Sequence, residues 1–290
     1  MSAASFLVVP QWQGSGSSRA MRLIEGAEAI RGDLPGARTH QVPVPAAAGE
    51  SLGTGVSRFS SLVAVREATE AELALLEAPV VTIGGDCGVE LAAVQHALAA
   101  HPEGGVALVW FDAHGDLNDV ESSPSGAFTG MVVRALLGDA PDGLASTGSG
   151  RLDPSRLVLA GTRELDEGEA DFIERSGIRM LPAEQLDDPA AIVDAVAATG
   201  ATSVYVHVDL DVLDPSAIDG IGAPVPFGVE PTRLTDAIRA LRARFELAGA
   251  GLTEFAPESP DAAPRDLAVI LRILGALTGP VSPAREKEGR

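Results

Sequence analysis

The chain is short of what several protein classes require. It carries one cysteine, Cys87, in 290 residues, so no intrachain disulfide forms and a secreted disulfide scaffold is excluded. Basic residues are scarce: 21 Lys and Arg stand against 41 Asp and Glu, a formal charge of −20. Nucleic acid and anionic membrane surfaces both need clustered cations, so neither is an expected partner. Aromatics make up 4%, which leaves the core to Val, Leu, Ile and Ala. No apolar run approaches the roughly 20 residues of a membrane helix. The opening Met1–Pro10 lacks the basic start and long apolar stretch of a signal peptide, and a cytoplasmic location is the expectation. Most of the surplus acid serves to keep the surface solvated, while its field draws in cationic small molecules.

What is present is a regular alternation. Short β-branched runs predict strands over Phe6–Val9, Thr39–Val44, Pro79–Ile83, Val106–Phe111, Arg156–Ala160, Ile178–Leu181, Ser203–Val208 and Ala248–Glu254. Between them, 3.6-residue periodicity predicts helices over Arg19–Ile30, Leu62–Glu77, Gly88–His101, Thr129–Leu137, Glu167–Ser176, Ala190–Thr199, Thr232–Phe245 and Asp266–Leu277. That order predicts an α/β fold, a three-layer α/β/α sandwich with a mostly parallel central sheet. No repeat and no long Pro/Gly/Ser linker divides the chain, so residues 1–290 read as one catalytic domain. Ala46–Ser60 and Asp139–Pro154 read as long surface loops, and Ser282–Arg290 as a frayed charged tail.

Three polar segments each follow a predicted strand, Gly84-Gly85-Asp86-Cys87, Asp112-Ala113-His114-Gly115-Asp116 and Asp209-Leu210-Asp211 with Asp214-Pro215 beyond it, and Glu254 ends a fourth. C-terminal strand ends are where open parallel sheets bind ligands. Carboxylates crowded there repel one another and are poorly hydrated, so they need protons or a cation. Asp112, Asp116, Asp209 and Asp211 with His114 form an oxygen-rich set holding one imidazole. Such a set suits Mn²⁺ ahead of Fe²⁺, Co²⁺ or Zn²⁺, and disfavours Ca²⁺. Four carboxylates exceed the needs of one transition metal and fit two metals sharing aspartates, which together acidify a bridging water.

Each piece also has a plainer explanation. A lone Asp-x-Asp is a common loop pattern and also occurs as the metal-nucleotide motif of glycosyltransferases. Asp214-Pro215 is a turn former, and Gly84-Gly85 suits a tight strand-to-helix turn. Taken alone, Cys87 is a small buried hydrophobe. Alternation along an extended Asp112–Asp116 would point its three donors one way, and two acidic clusters after apolar strands do not read as solvated surface. His40, His96 and His101 read as structural or surface residues; His207, two before Asp209, shares that residue's face but is left outside the ligand set.

Taken together the motifs resemble those of the ureohydrolase (arginase/agmatinase) superfamily, across nearly the whole chain. The family signatures Gly-Gly-Asp-His, Asp-Ala-His-x-Asp and Asp-x-Asp-x-x-Asp-Pro align with residues 84–87, 112–116 and 209–215 in order and separation. The resemblance implies one metal held by Cys87, Asp112, Asp116 and Asp209, and another by Asp112, His114, Asp209 and Asp211. It implies a small guanidino substrate attacked at the guanidinium carbon, with Asp116 passing a proton to the leaving amine and Glu254 holding the guanidinium. It also implies a homo-oligomer, a trimer or hexamer. Asn118 and Ser125 look like the arginase pair that reads an α-carboxylate. Asp166 in Arg163-Glu164-Leu165-Asp166, with Glu169 behind it, looks like the acid that reads an α-amino group; its plainer role is a helix N-cap.

Two departures bear on activity. Cys87 stands where the family has histidine, and a soft thiolate suits hard Mn²⁺ poorly, leaving one metal site complete and the second open to Ni²⁺, Co²⁺, Fe²⁺ or Zn²⁺. Thr129 stands where arginases carry a proton-shuttling histidine, which slows expulsion of a strongly basic amine. A cysteine at the first ligand position is similar to a small branch that hydrolyses Nω-hydroxy-L-arginine to hydroxyurea and ornithine; Leu165–Glu169 resembles that branch too, though the branch lacks Gly-Gly-Asp. Three readings stay open: hydrolysis of arginine or Nω-hydroxyarginine to urea or hydroxyurea, hydrolysis of agmatine or a guanidino acid, and a non-catalytic relative that keeps one metal.

Overall fold

The computed structural model describes residues 4–101 and 105–280; the tail Ser282–Arg290 lies outside them. Eight strands, β1 (Ser5–Val9), β2 (Thr39–Gln41), β3 (Val80–Gly84), β4 (Val106–Phe111), β5 (Leu157–Ala160), β6 (Arg179–Leu181), β7 (Ser203–Asp209) and β8 (Glu246–Thr253), form one sheet. Its order is β2-β1-β3-β8-β7-β4-β5-β6, and every pairing is parallel. The sheet is therefore wholly rather than mostly parallel. All residues of β3, β4 and β7 are buried, which is why these strands read as unbroken apolar runs rather than alternating ones: both faces are covered.

The helices are α1 (Arg22–Gly32), α2 (Phe59–Leu73), α3 (Glu90–Ala100), α4 (Val132–Leu136), α5 (Glu167–Ser176), α6 (Pro189–Ala197), α7 (Pro231–Arg244) and α8 (Pro264–Thr278). On one face Val109, Phe111, Val206, Val208 and Leu252 pack with Ile30 of α1, Ile192 of α6, Leu241 of α7 and Ile273 of α8. On the other, Leu108, Trp110, Leu159 and Tyr205 pack with Leu91 of α3, Val133 of α4 and Ile173 of α5, and Leu7 and Val9 pack with Val65 of α2. Each fully buried Val, Leu or Phe contributes about 1.5–3 kcal/mol from its apolar area. Three layers result, as expected.

Boundaries moved for local reasons. Pro189, Pro231 and Pro264 open their helices, where a missing N–H costs nothing. Gly177, at φ +64°, closes α5. β2 stops at Gln41; Val42 still donates to the Val8 carbonyl, but Pro43 has no N–H to extend the ladder. The helix expected over Thr129–Leu137 shrinks to α4, because Phe128–Met131 forms a tighter 3₁₀ turn and the Thr129 N–H is taken by the Gly14 carbonyl. Among the described residues no helix is long and apolar enough to cross a membrane.

Candidate metal centre

The three polar segments and Glu254 follow β3, β4, β7 and β8, and these strands are consecutive in the sheet as β3-β8-β7-β4. Their C-terminal ends meet over one pocket of about 440 Å³. Apart from Cys87 and Asp112, which lie beneath it, every candidate site residue lines this pocket: His114, Asp116, Asn118, Ser125, Asp166, Glu169, Asp209, Asp211 and Glu254.

After β3 the chain needs two glycines. A side chain at Gly85 would strike the Gln11 carbonyl at 1.8 Å, so only glycine lets the turn lie against the segment following β1. Asp86 does not face the site. Its buried carboxylate accepts from Gln11 Nε2, the Gly14 N–H and the Gly88 N–H at 2.7–2.8 Å, tying two loops together. This turn delivers Cys87, fully buried, with Sγ 3.1 Å from Asp209 Oδ2, 3.1 Å from Thr253 Oγ1 and 3.6 Å from His207 Nε2. Burial, then Asp209, pushes its thiol well above the usual range.

After β4 the backbone bends instead of staying extended. Asp112 Oδ1 accepts the His114 N–H at 2.6 Å, and Asp116 sits in the left-handed region at φ +51°. The alternation expected for Asp112–Asp116 is thus wrong as a mechanism: a short Asx-type turn gathers these residues, since aspartate competes readily for nearby N–H groups. Trp110 Nε1 donates to Asp112 Oδ2 at 3.0 Å. After β7, Asp209 Oδ1 accepts the Asp211 N–H at 2.8 Å, while Asp211 Oδ1 accepts the Ala113 N–H at 3.0 Å and its Oδ2 lies 3.0 Å from His114 Nδ1. Arg163 fastens this turn, donating to the carbonyls of Asp211 and Val225 at 2.9 and 2.7 Å. Asp214 is a turn residue, accepting from Ser216 and Gly228.

The donor atoms sort into overlapping sets within 4.8 Å: Asp112 with His114 and Asp211, Cys87 with Asp209 and Glu254, and Cys87 with Asp112 and His207. Asp112 is shared between the first and the last, as a bridging role requires. Asp116 joins none of these sets among the described residues; its buried Oδ2 has no partner. The ligand grouping expected from the motifs therefore appears for Asp112, His114 and Asp211, and differs for the Cys87 side.

Charge tests whether metal ions fit. Asp112, Asp116, Asp209 and Asp211 are buried beside Glu254, and among the described residues only His114 forms ion pairs with any of them. Burial and neighbouring acids push Asp116, Asp209 and Glu254 well above the carboxylate range, and Asp211 up to about 6. Asp112 goes the other way: although burial raises it, His114 holds it down. Against its own burial, His114 is pushed up to about 12 by Asp112 and Asp211. One imidazolium is the cluster's single cation among the described residues against four buried aspartates and Glu254, and oxygen donors with one imidazole and one orphaned oxygen suit a divalent transition ion.

On the pocket wall Asn118 Nδ2 donates to Asp166 Oδ2 at 2.8 Å. Glu169 spends both oxygens on backbone, accepting from Leu117 and Asp166 N–H at 2.8 and 2.9 Å; it braces this wall at the start of α5. Ser125 is exposed at the rim, its Oγ accepting from Ala127. Glu254 shares Asp116's unusual backbone, with φ +65°, a conformation that costs a non-glycine residue about 1–3 kcal/mol. Its Oε1 accepts from Thr129 Oγ1 at 3.2 Å and from the Cys87 N–H at 3.3 Å. Reading motifs missed Trp110, Glu90 and Thr253, and left out His207. His207 is fully buried, stacks on Trp110 with centroids 3.5 Å apart, and faces Cys87. The two-residue spacing from Asp209 was its signal; Glu90 had none beyond an acid inside an apolar helix run.

A family profile described as the Arginase family matches residues 24–274. The chain is similar to an N(omega)-hydroxy-L-arginine amidinohydrolase of Streptomyces lavendulae, 32% identical over 262 residues, 90% of this chain and 89% of that one. It is 35% identical over 188 residues to an arginase of Bacillus caldovelox, 60% of this chain and 62% of that one. Among solved structures, Entamoeba histolytica arginase in complex with L-ornithine matches with a TM-score of 0.83 at 22% identity, covering 96% of this chain and 98% of that one, a likeness of fold.

Proposed function

The chain belongs to the arginase family and is a hydrolase of C–N bonds in linear amidines; on that premise we propose that it cleaves the guanidino group of an arginine-like α-amino acid, arginine or Nω-hydroxyarginine. One observation carries this reading. A single pocket is lined by Asp116 and Glu254 together with His114, Asp209 and Asp211, and presents the hydrogen-bonded pair Asn118–Asp166 on its wall. A cationic guanidinium suits the acidic floor, and an α-amino group suits Asp166.

Asp112, His114, Asp209 and Asp211 would hold the metal, Mn²⁺ first in expectation; when bound, it supplies Lewis acidity toward water. Glu254 has no cationic partner among the described residues; an arriving guanidinium would favour its ionised form and take charge-assisted hydrogen bonds from it. Asp116 lines the pocket with its buried Oδ2 unpartnered, a position from which a carboxyl can pass a proton to the leaving amine. Thr129 offers only a hydroxyl, already donated to Glu254, and adds no second proton carrier. That favours a substrate whose leaving group needs less help. The likeness to a hydroxyarginine amidinohydrolase supports the same preference. A relative that kept metal for stability alone would have no use for Glu254 in a strained backbone at the pocket floor. The reading takes residues 1–290 as one catalytic unit, cytoplasmic and oligomeric.

The test is a panel of arginine, Nω-hydroxyarginine, agmatine and 4-guanidinobutyrate with Mn²⁺, Co²⁺ or Ni²⁺, scoring urea or hydroxyurea and amine released. Turnover is expected only for the amino acids. Asp166→Ala is expected to raise their KM about 10–100-fold, the loss of a hydrogen bond to a charged group. Efficient agmatine hydrolysis that Asp166→Ala leaves untouched would overturn the substrate assignment.

A further inference from the structure

We propose that Cys87, His207 and Asp112 form a sulfur–nitrogen–oxygen metal site that selects a borderline ion such as Zn²⁺ or Co²⁺ over Mn²⁺, with Glu90 orienting its histidine. The inference rests on the metal-centre reading of this pocket and names what its Cys87 side binds.

The three donor atoms lie within 4.8 Å of one another, and all three residues are buried to within 1% of full exclusion. Sγ and Nε2 are 3.6 Å apart. That distance is also close to the roughly 3.5 Å separating sulfur and nitrogen across a tetrahedral zinc ion, given its usual bond lengths. Asp112 is common to this set and to the one with His114 and Asp211, so it is placed to bridge a borderline ion and a harder one. The Asp116 carboxylate, expected from the motifs to complete the Cys87 side, joins no donor set; the nitrogen of His207 is there instead.

The surroundings of His207 are those of a held ligand. Its ring stacks on Trp110, whose Nε1 in turn donates to Asp112, so one indole braces two of the three donors. Its other nitrogen, Nδ1, has no hydrogen-bond partner and lies 3.8 Å from Glu90 Oε2. Glu90 is itself fully buried, with Oε1 unpartnered and Oε2 accepting from Tyr205. A carboxylate behind an imidazole fixes its tautomer and raises its basicity as a ligand, the usual second partner of metal-binding histidines. The sheet makes room for that carboxylate: Gly251 pairs with His207, and a Cβ there would meet Glu90 Oε1 at 1.9 Å. A buried acid and a buried imidazole nitrogen that face each other are costly unless a proton lies between them, and an ion held at Nε2 would fix that proton on Nδ1, towards Glu90. On binding, the thiol proton of Cys87 leaves to solvent and thiolate and imidazole remain as ligands.

Co²⁺ is the probe. The full chain, stripped by chelator and refilled, is expected to take up two Co²⁺, one giving a near-ultraviolet thiolate-to-cobalt band. Cys87→Ser and His207→Asn should each abolish the band and lower the count to one. Asp211→Asn should remove the other ion and leave the band, while Glu90→Gln should keep it and weaken that ion's affinity about 10–100-fold. X-ray absorption of the unsubstituted protein loaded with a single equivalent of zinc, which the proposal sends to the Cys87 side, should find sulfur and imidazole in one shell, and this needs no variant to fold. A full-strength band in His207→Asn, or a zinc shell without imidazole, overturns the proposal. One cobalt with no thiolate band sinks this inference and leaves the carboxylate–imidazole centre standing. No bound cobalt at all sinks the metal-centre reading itself.

Discussion

The two donor sets that meet at Asp112 are assembled in opposite ways. Asp112, His114 and Asp211 are gathered by turns: Asp112 accepts the His114 N–H within its own turn, Asp211 accepts the Ala113 N–H across from the other, and the set opens on the pocket, with His114 partly exposed. Cys87 and its neighbours are gathered by the sheet: they come from the ends of β3, β7 and β8 and are buried against Trp110 and Thr253. The first is hard, acidic and built from short motifs. The second is softer and assembled across strands far apart in sequence. The same strand-end geometry can thus present two chemically different binding sets side by side, with one carboxylate common to both.

The most severe way to break the comparison is to remove what the two sides share. Asp112→Asn is expected to cost both ions and bring hydrolysis to background, measured as metal per chain and kcat/KM. Retention of both metals would show that the sets do not meet at this residue. Asp116→Asn should leave the metal count unchanged while lowering kcat about 10²–10⁴-fold with little change in KM, as loss of a general acid does. Loss of an ion would instead restore Asp116 to the ligands. Cys87→His converts the soft side towards the hard one. Manganese bound per chain should rise, read by spin resonance or elemental analysis, with a smaller gain in turnover.

The smallest expected effect is on stability. In the metal-free chain burial and Asp112 push Asp211 up to about 6 from the usual 3.8, and Asp112 and Asp211 push His114 up to about 12 from 6.5. Between pH 5 and 9 the metal-free folded chain therefore holds protons that the unfolded chain has released, and its stability falls as pH rises. For His114 the contribution is complete below its unfolded value and is lost on the way to its folded one. For Asp211 the penalty of ionising is absent below the unfolded value and complete above the folded one. Chelated protein should melt several degrees lower at pH 8.5 than at pH 5.5, and added metal should raise the melting point more at pH 8.5. A rise in the chelated protein's melting point with pH would contradict this.

Much of the architecture was legible beforehand because local rules and packing agree. Apolar runs such as Val106–Phe111 are strands buried on both faces, and the helical stretches between them needed only terminal corrections at Pro189, Pro231 and Pro264. Motif order identified His114, Asp211 and Glu254, which line one pocket, and Asp112, which lies beneath it. The backbone of Asp112–Asp116 was read wrongly, since period-two alternation and an Asx turn can both bring the same side chains together. Asp116 and Glu254 both adopt left-handed backbones, and nothing in their residue types announces that. Glu90 was illegible because its partners, Tyr205 and His207, lie more than 100 residues away.

By itself, the sequence determined that carboxylates, an imidazole and a thiol would stand at C-terminal strand ends, because each follows an apolar run that must be buried. Only the tertiary structure decided which of those ends are adjacent. The order β3-β8-β7-β4 follows from crossover connections and helix packing across the whole sheet, and no local segment encodes it. That order sets Cys87 against His207 and Asp112, and gives Asp112 to both donor sets.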